Sequence, residues 1–198
     1  MIYRFLFLTL LTGLSFNACQ SGGGSAGAGD FTGYTLESLP GTSYQRAYRL
    51  DGKGEVLEEG LVLNGKKSGS WVMYHPDSYF PKMVYTYADG ILNGPTLEYT
   101  DRGQLISRTG YKNNELDGTR MVYQYGRLKE ETRFKAGKLD GITRKYSEST
   151  GKLQQEIPYK NGRQDGVYRY YNDEGQVTME YEYKNGEKVS GGMTNGGR

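Results

Sequence analysis

One cysteine and one histidine stand among 198 residues, so the side chains that most often carry covalent or metal chemistry are scarce. Cys19 alone permits no intramolecular disulfide, and with only His75 beside it no zinc set can be assembled. No metal or organic cofactor is expected. No nucleophile elbow, phosphate-binding glycine loop or His-Glu metal pair occurs, and the acids are spread evenly along the chain. His75, ahead of Pro76-Asp77, reads as a turn residue. Enzymatic activity is not expected, and what remains is the chemistry of surface contact.

That chemistry belongs to the aromatics. Nineteen tyrosines, six phenylalanines and a single tryptophan make up 13% of the chain. Most tyrosines recur periodically and are expected to line one face of successive hairpins, where cross-strand aromatic pairs stabilise a sheet. An open face of this kind also suits peptide, glycan or cation–π contacts. Trp71, Tyr79, Phe80, Tyr125, Tyr168 and Tyr170 fall outside the periodic positions and are the candidate binding residues. Tyr79 and Phe80 belong to the one irregular insert, His75 to Pro81. The competing reading of this set is structural, as a cap on the amino-terminal edge of the sheet.

The elements that must position these side chains form an internal repeat. An aromatic-x-x-Gly element recurs, as in Tyr87-Ala88-Asp89-Gly90 and Tyr159-Lys160-Asn161-Gly162. Its closing residues are Gly65, Gly90, Asn114, Gly137, Gly162 and Gly186, spaced 23 to 25 residues apart. Four residues later comes a second glycine, at 69, 94, 118, 141 and 166, slipping by one to Gly191 in the last unit. Asn114, the one exception at the first marker, tolerates a left-handed backbone almost as well as glycine.

Between the turns, apolar and polar residues alternate with a period of two. Val177, Met179, Tyr181 and Tyr183 interleave with Thr178, Glu180 and Glu182, the pattern of a strand with one covered face. Asn-Gly and Asp-Gly pairs between such runs signal hairpins. The expected fold is all-β: an elongated, single-layer antiparallel meander of about six tandem β-hairpin repeats over residues 44–191. Leu, Ile, Val and Phe make up only about 16% of residues 19–198. Such a fraction accompanies disorder when net charge is large, but the net charge here is +2. A near-neutral balance also argues against nucleic acid as a partner. Locally, residues 119–145 carry eight basic side chains against three acidic ones, which reads as a solvated sheet face.

The amino terminus reads as an address. Arg4 precedes an apolar run from Phe5 to Leu14 that is too short to span a bilayer. Phe16-Asn17-Ala18-Cys19 after that run resembles the bacterial lipoprotein signal, with Phe16 where the family usually has Leu. The resemblance implies removal of residues 1–18 and acylation of Cys19, followed by a Gly/Ser-rich linker over residues 19–43. A bacterial envelope protein, lipid-anchored and facing the periplasm from the outer membrane, is the expectation. Residues 192–198 read as a disordered tail.

Units that close on Tyr-Lys-Asn-Gly-x-x-Asp-Gly, best seen from Tyr159 to Gly166, resemble the bacterial variant of the MORN repeat. The resemblance covers residues 44–191 and implies a twisted, mostly single-layer sheet used as a binding or spacing scaffold. The function expected is that of a non-enzymatic lipoprotein with an unidentified protein partner in the envelope. The alternatives are a carbohydrate- or cell-wall-binding module and an immunity or antitoxin-type protein.

Overall fold

The computed structural model describes residues 29–194. The signal segment, Cys19, the linker up to residue 28 and the last four residues of the tail lie outside the described residues. Described residues form one antiparallel sheet of seventeen strand segments, without a helix. The first five are β1 (Thr35–Ser38), β2 (Tyr44–Leu50), β3 (Val56–Leu63), β4 (Lys66–Tyr74) and β5 (Pro81–Ala88). Next come β6 (Ile91–Leu92), β7 (Gly94–Tyr99), β8 (Leu105–Lys112), β9 (Glu115–Gln124) and β10 (Arg127–Lys135). The carboxyl-terminal part holds β11 (Lys138–Leu139), β12 (Gly141–Tyr146), β13 (Leu153–Lys160) and β14 (Arg163–Gln164). β15 (Gly166–Tyr171), β16 (Val177–Lys184) and β17 (Glu187–Met193) complete it.

Each strand pairs with its neighbour in sequence, which makes the sheet a meander. β6, β11 and β14 are stubs that pair with the same strand as the segment following them. The elongated all-β array read from the repeat is therefore the fold. It begins earlier than residue 44: β1 lies inside the stretch read as linker and pairs with β2 from Thr35↔Tyr48 to Ser38↔Gln45. It also ends later than 191, because β17 continues to Met193. These flanks lack the repeat's glycine markers, so only their pairing partners reveal them as sheet.

Local chemistry explains the turns. At Asn161-Gly162 both residues have positive φ, 49° and 84°. This is the geometry of the two-residue hairpin turn whose twist matches that of the flanking strands. Asn113-Asn114 adopts the same conformation, at 52° and 66°, so the exception in the glycine series keeps the turn. The turns are also latched to the preceding unit. The backbone N–H groups of Ala136, Asn161 and Asn185 donate to Oδ2 of Asp117, Asp140 and Asp165 at 3.2, 3.2 and 3.1 Å. The aspartate of the Asp-Gly signature thus satisfies a donor one turn further along the array.

Across the strands, the second glycine of a unit faces the closing aromatic of the next strand. The pairs are Gly69↔Tyr87, Gly94↔Tyr111, Gly118↔Phe134, Gly141↔Tyr159 and Gly166↔Tyr183. Burial is deepest at the amino-terminal end, where Ala47, Val62 and Trp71 are enclosed by Phe31, Tyr34, Tyr85 and Tyr87.

Candidate binding face

Register assigns every side chain to one of two faces. On the first face the central row includes Ala47, Gly60, Trp71 and Tyr85, paired in sequence. The same alternation continues through Thr96, Thr109, Arg120 and Thr132, then Thr143 and Ile157, and finally Tyr168, Tyr181 and Gly191. Thr96, Thr109, Thr132, Thr143 and Ile157 are all buried. In a single sheet, short side chains reach that state because longer ones in the flanking rows lean over them. The Thr row is therefore the floor of a trough, and the closing aromatics form one wall.

In the middle of the array this trough opens into two adjoining clefts. One, of about 220 Å³, is bordered by Arg120, Phe134, Lys145 and Tyr159. The other, of about 490 Å³, is bordered by Lys129, Tyr146, Glu148 and Gln154, and the two share Glu130 and Lys145. Both clefts are open and lined by polar groups together with aromatic edges. Such a surface fits extended contact better than capture of a small molecule, for which pockets are mostly apolar and enclosing.

The second face is electrostatic in its carboxyl-terminal half. Glu131, Arg144, Glu156, Arg169 and Glu180 stand directly opposite one another in sequence. Arg144 Nε donates to Glu156 Oε1 at 2.9 Å and Arg169 Nε to Glu180 Oε1 at 2.7 Å. Burial works against ionisation of Glu156, yet the Tyr171 hydroxyl and the Arg144 guanidinium hold its carboxyl below the usual value. Arg144 and Arg169 are raised by the same pairs. Of the basic stretch between 119 and 145, Arg144 belongs to this ladder and Lys129 pairs with Glu148. Arg120 and Lys145 stand on the first face, whereas Arg144 points to the second face, between Glu131 and Glu156. The stretch is thus divided between faces and partly neutralised, as a solvated sheet surface requires.

The tyrosines do not share one face, contrary to the sequence expectation. Tyr74, Tyr99, Tyr146 and Tyr171 each stand three residues beyond a central-row residue, so plain strand alternation carries them to the second face. The register shifts beside them put the extra residue on the following strand, at Lys82, Ile106, Gln154 and Thr178. Tyr74 and Tyr171 donate from their hydroxyls to Glu59 and Glu156, at 2.7 and 2.8 Å, on the second face. The closing tyrosines, such as Tyr87 and Tyr183, remain on the first.

Trp71 is not a surface residue. Its exposure is 0%, its indole N–H donates to the Leu61 carbonyl at 2.9 Å, and Phe31, Tyr34 and Tyr87 pack around it with ring centroids 5.9 to 6.4 Å away. Gly60 opposite makes room for the ring. Lys67 Nζ lies 3.9 Å from the Trp71 centroid and 3.0 Å from Glu58, so a cation and a nearly buried carboxylate complete the cluster. Tyr34 donates to Glu58 at 2.5 Å. Burial and this carboxylate push its phenol up to about 12.

Tyr79 and Phe80 are 75% and 48% exposed, and Phe80 covers Gly103, where a Cβ would stand 2.5 Å from the ring. Their loop is tied to the next one by His75 Nε2 with the Tyr99 carbonyl at 2.9 Å and by Ser78 Oγ donating to the Asp101 carbonyl at 3.2 Å. Tyr125 is 87% exposed in the turn before Gly126. Tyr168 and Tyr170 stand two residues apart on the first face, and Tyr168 stacks on Tyr181 with centroids 6.1 Å apart and planes 10° from parallel. The six candidates are therefore dispersed: one core residue, three on loops, and two within the carboxyl-terminal tyrosine cluster. Sequence reasoning missed Phe31 and Tyr34, aromatics within a stretch read as linker. Those two rings were the available signal. Among the described residues no group of His, Cys, Asp and Glu is arranged to hold a metal ion.

A family model described as the MORN repeat variant matches residues 139–161 and 164–185. The matched stretches run from the end of β11 through β13 and from β14 through β16, and contain the Gly141–Tyr159 and Gly166–Tyr183 pairs. The same pairing recurs upstream at Gly118, Gly94 and Gly69. No curated protein matches the chain.

Proposed function

We propose that the chain is a bacterial envelope lipoprotein, acylated at Cys19, whose repeat sheet binds a protein partner and catalyses no reaction. The observation that carries the binding reading is the first-face trough, with buried threonines on either side of Arg120 as its floor and the closing aromatics as a wall. Repeats of the MORN variant type fit a binding module, and Tyr supplies rigid amphipathic contact area at low entropic cost. A glycan platform is less favoured because Trp71, the only indole, is buried.

Gly29 N–H donates to the Gly65 carbonyl at 2.8 Å, which places the start of the described chain at the edge bearing the Asn-Gly turns. Ten residues separate Cys19 from Gly29, a span of at most about 35 Å. An acylated Cys19 therefore holds that edge close to the bilayer and leaves the first face accessible from the side. Two experiments test the reading. Fatty-acid labelling of cells is expected to mark the native protein and not Cys19→Ala; an unlabelled native protein removes the anchor. A photo-crosslinking residue at Tyr170 is expected to give a discrete protein adduct in the native host, and one at Arg108, on the second face, none. The absence of any adduct at Tyr170 refutes the scaffold.

A further inference from the structure

The two-residue turns on the Asn-Gly edge are tied to the unit before them through the N–H of their second residue. Gly90, Asn114, Gly137, Gly162 and Gly186 donate to the carbonyls of Lys67, Leu92, Leu116, Leu139 and Gln164, at 2.8 to 2.9 Å. The first turn of the series, Asn64-Gly65, differs. Among the described residues no acceptor meets the Gly65 N–H. Nor does an aspartate there latch the Asn64 N–H, as Asp140 and Asp165 latch those of Asn161 and Asn185. What holds this turn is an acceptor: the Gly65 carbonyl receives the Gly29 N–H at 2.8 Å.

An asparagine followed by glycine carries its own nucleophile, because the glycine nitrogen has no Cβ beside it to hinder attack on the side-chain carbonyl. We propose that Asn64 is the site at which this fold deamidates. The Gly65 nitrogen bonds to Cγ of Asn64, the Cγ–Nδ2 bond breaks, and Nδ2 leaves as ammonia with the proton lost by the Gly65 nitrogen. Water then opens the cyclic imide, its hydroxyl going to an imide carbonyl carbon and its proton to the nitrogen. Opening at Cγ gives aspartate. Opening at the backbone carbonyl carbon gives isoaspartate, in which the chain runs through the former side chain.

Both residues have the positive φ of the tight turn, 51° and 71°, so attack requires that the turn open, and the rate follows what resists opening. At Asn161 and Asn185 two hydrogen bonds to the preceding unit break first, and the attacking nitrogen is the donor in one of them. Asn93-Gly94 is held in the sheet, with the Asn93 N–H on the Thr86 carbonyl at 2.9 Å and Gly94 opposite Tyr111. Asn195-Gly196 lies outside the described residues. The position also decides the consequence. The turn joins buried Val62 to Lys67, which pair across the hairpin, and Lys67 Nζ lies over Trp71. Isoaspartate adds a carbon to the backbone there, displaces the Gly65 carbonyl from Gly29, and loosens Phe31 and Tyr34 over the indole.

The full-length chain, aged in mildly alkaline buffer, is mapped by mass spectrometry, with enzymatic methylation of isoaspartate as the second readout. Asn64 is expected to deamidate about tenfold faster than Asn161 and Asn185, because each latching hydrogen bond slows opening several-fold. In urea, where no turn is held, the three are expected to react alike. Asp140→Ala is expected to speed the reaction at Asn161 and to leave Asn64 unchanged. Trp71 emission is expected to move to longer wavelength in step with isoaspartate at position 64, and to stay native on ageing of Asn64→Gly, whose residue suits the turn. Equal rates at the three sites in the folded chain, or a difference that persists in urea, overturns the site. An unchanged rate at Asn161 in Asp140→Ala overturns the latch as its cause. Isoaspartate at 64 with native Trp71 emission overturns the link to the aromatic cluster.

Discussion

Gly60 and Trp71 stand opposite each other on β3 and β4, and a Cβ at position 60 would lie 2.3 Å from Cδ2 of the indole. The backbone of one strand is thus the floor on which the largest buried side chain of the other rests. Gly60→Ala is expected to push the ring off its seat and to destabilise the protein by about 1–3 kcal/mol, the usual cost of overpacking. Chemical denaturation measures the loss, and the emission of the single tryptophan reports the displaced ring. In a Trp71→Leu background the same substitution is expected to cost clearly less than in the native chain, because the clash is gone. Equal costs in both backgrounds refute this account of Gly60.

The aspartate latches predict a graded response. Asp140 accepts from the Asn161 N–H at 3.2 Å across the gap between units. Asp140→Ala is expected to cost about 1 kcal/mol, the net worth of a typical hydrogen bond. Asp140→Asn keeps an acceptor oxygen and is expected to cost less. Urea unfolding of the two variants distinguishes the latch from a mere surface charge, for which both substitutions are equivalent.

Tyr125 occupies a left-handed turn position, with φ of 52°, where the other two-residue turns mostly carry Asn or Asp. A bulky side chain there is strained by about 1–2 kcal/mol, and Asn is the residue that tolerates it. Tyr125→Asn is expected to raise the unfolding midpoint. If Tyr125 contacts the partner, the same variant gains stability and loses binding, a combination that a purely structural role does not produce.

Ion pairs of the second-face ladder are expected to differ in worth according to exposure. The Arg169–Glu180 pair is 40% and 43% exposed, whereas Arg144–Glu156 is 33% and 17%. Arg169→Met is expected to change stability by less than about 1 kcal/mol, and that change disappears in high salt. Arg144→Met leaves Glu131 and Glu156 without their shared partner, so it costs more and retains part of its effect in salt. Salt-dependent denaturation curves of the two variants provide the comparison.

Alkaline conditions should unfold the amino-terminal cluster. The Tyr34 phenol lies at about 12, against an ordinary value of 10.0, because burial and Glu58 disfavour its anion. Tyr85 and Tyr87 are raised in the same direction, chiefly by burial. Below pH 10 this contribution is complete; between about 10 and 12 the unfolded chain releases protons that the folded chain still holds, so stability falls as pH rises. Tyrosinate absorbance is expected to lag that of free tyrosine and then to rise together with the loss of tryptophan burial. Tyr34→Phe removes one such group and flattens the decline.

Much of this fold was legible because it is written locally. Asn161-Gly162 and its counterparts specify tight hairpins by φ alone, and the alternation in Val177 to Tyr183 specifies strands between them. The candidate site was less legible, since facing and burial depend on partners 10 to 25 residues away in sequence. Trp71, Tyr168 and Tyr170 look alike in the sequence, as aromatics outside the periodic positions, yet Trp71 is buried opposite Gly60 and Tyr168 stacks on Tyr181. Phe31 and Tyr34 carried no repeat marker, and only the Trp71 ring they cover gives them a role.

The sequence by itself determined the period, the turns, the strand alternation and the one-layer architecture, because each follows from backbone preferences and side-chain spacing within a few residues. Tertiary structure alone decided which row is buried and which rings cover it. The reason is register: what covers a side chain is set by strands distant in sequence, as Gly60 lies opposite Trp71 and Phe31 and Tyr34 pack on it. No local preference lays Phe31 and Tyr34 over Trp71.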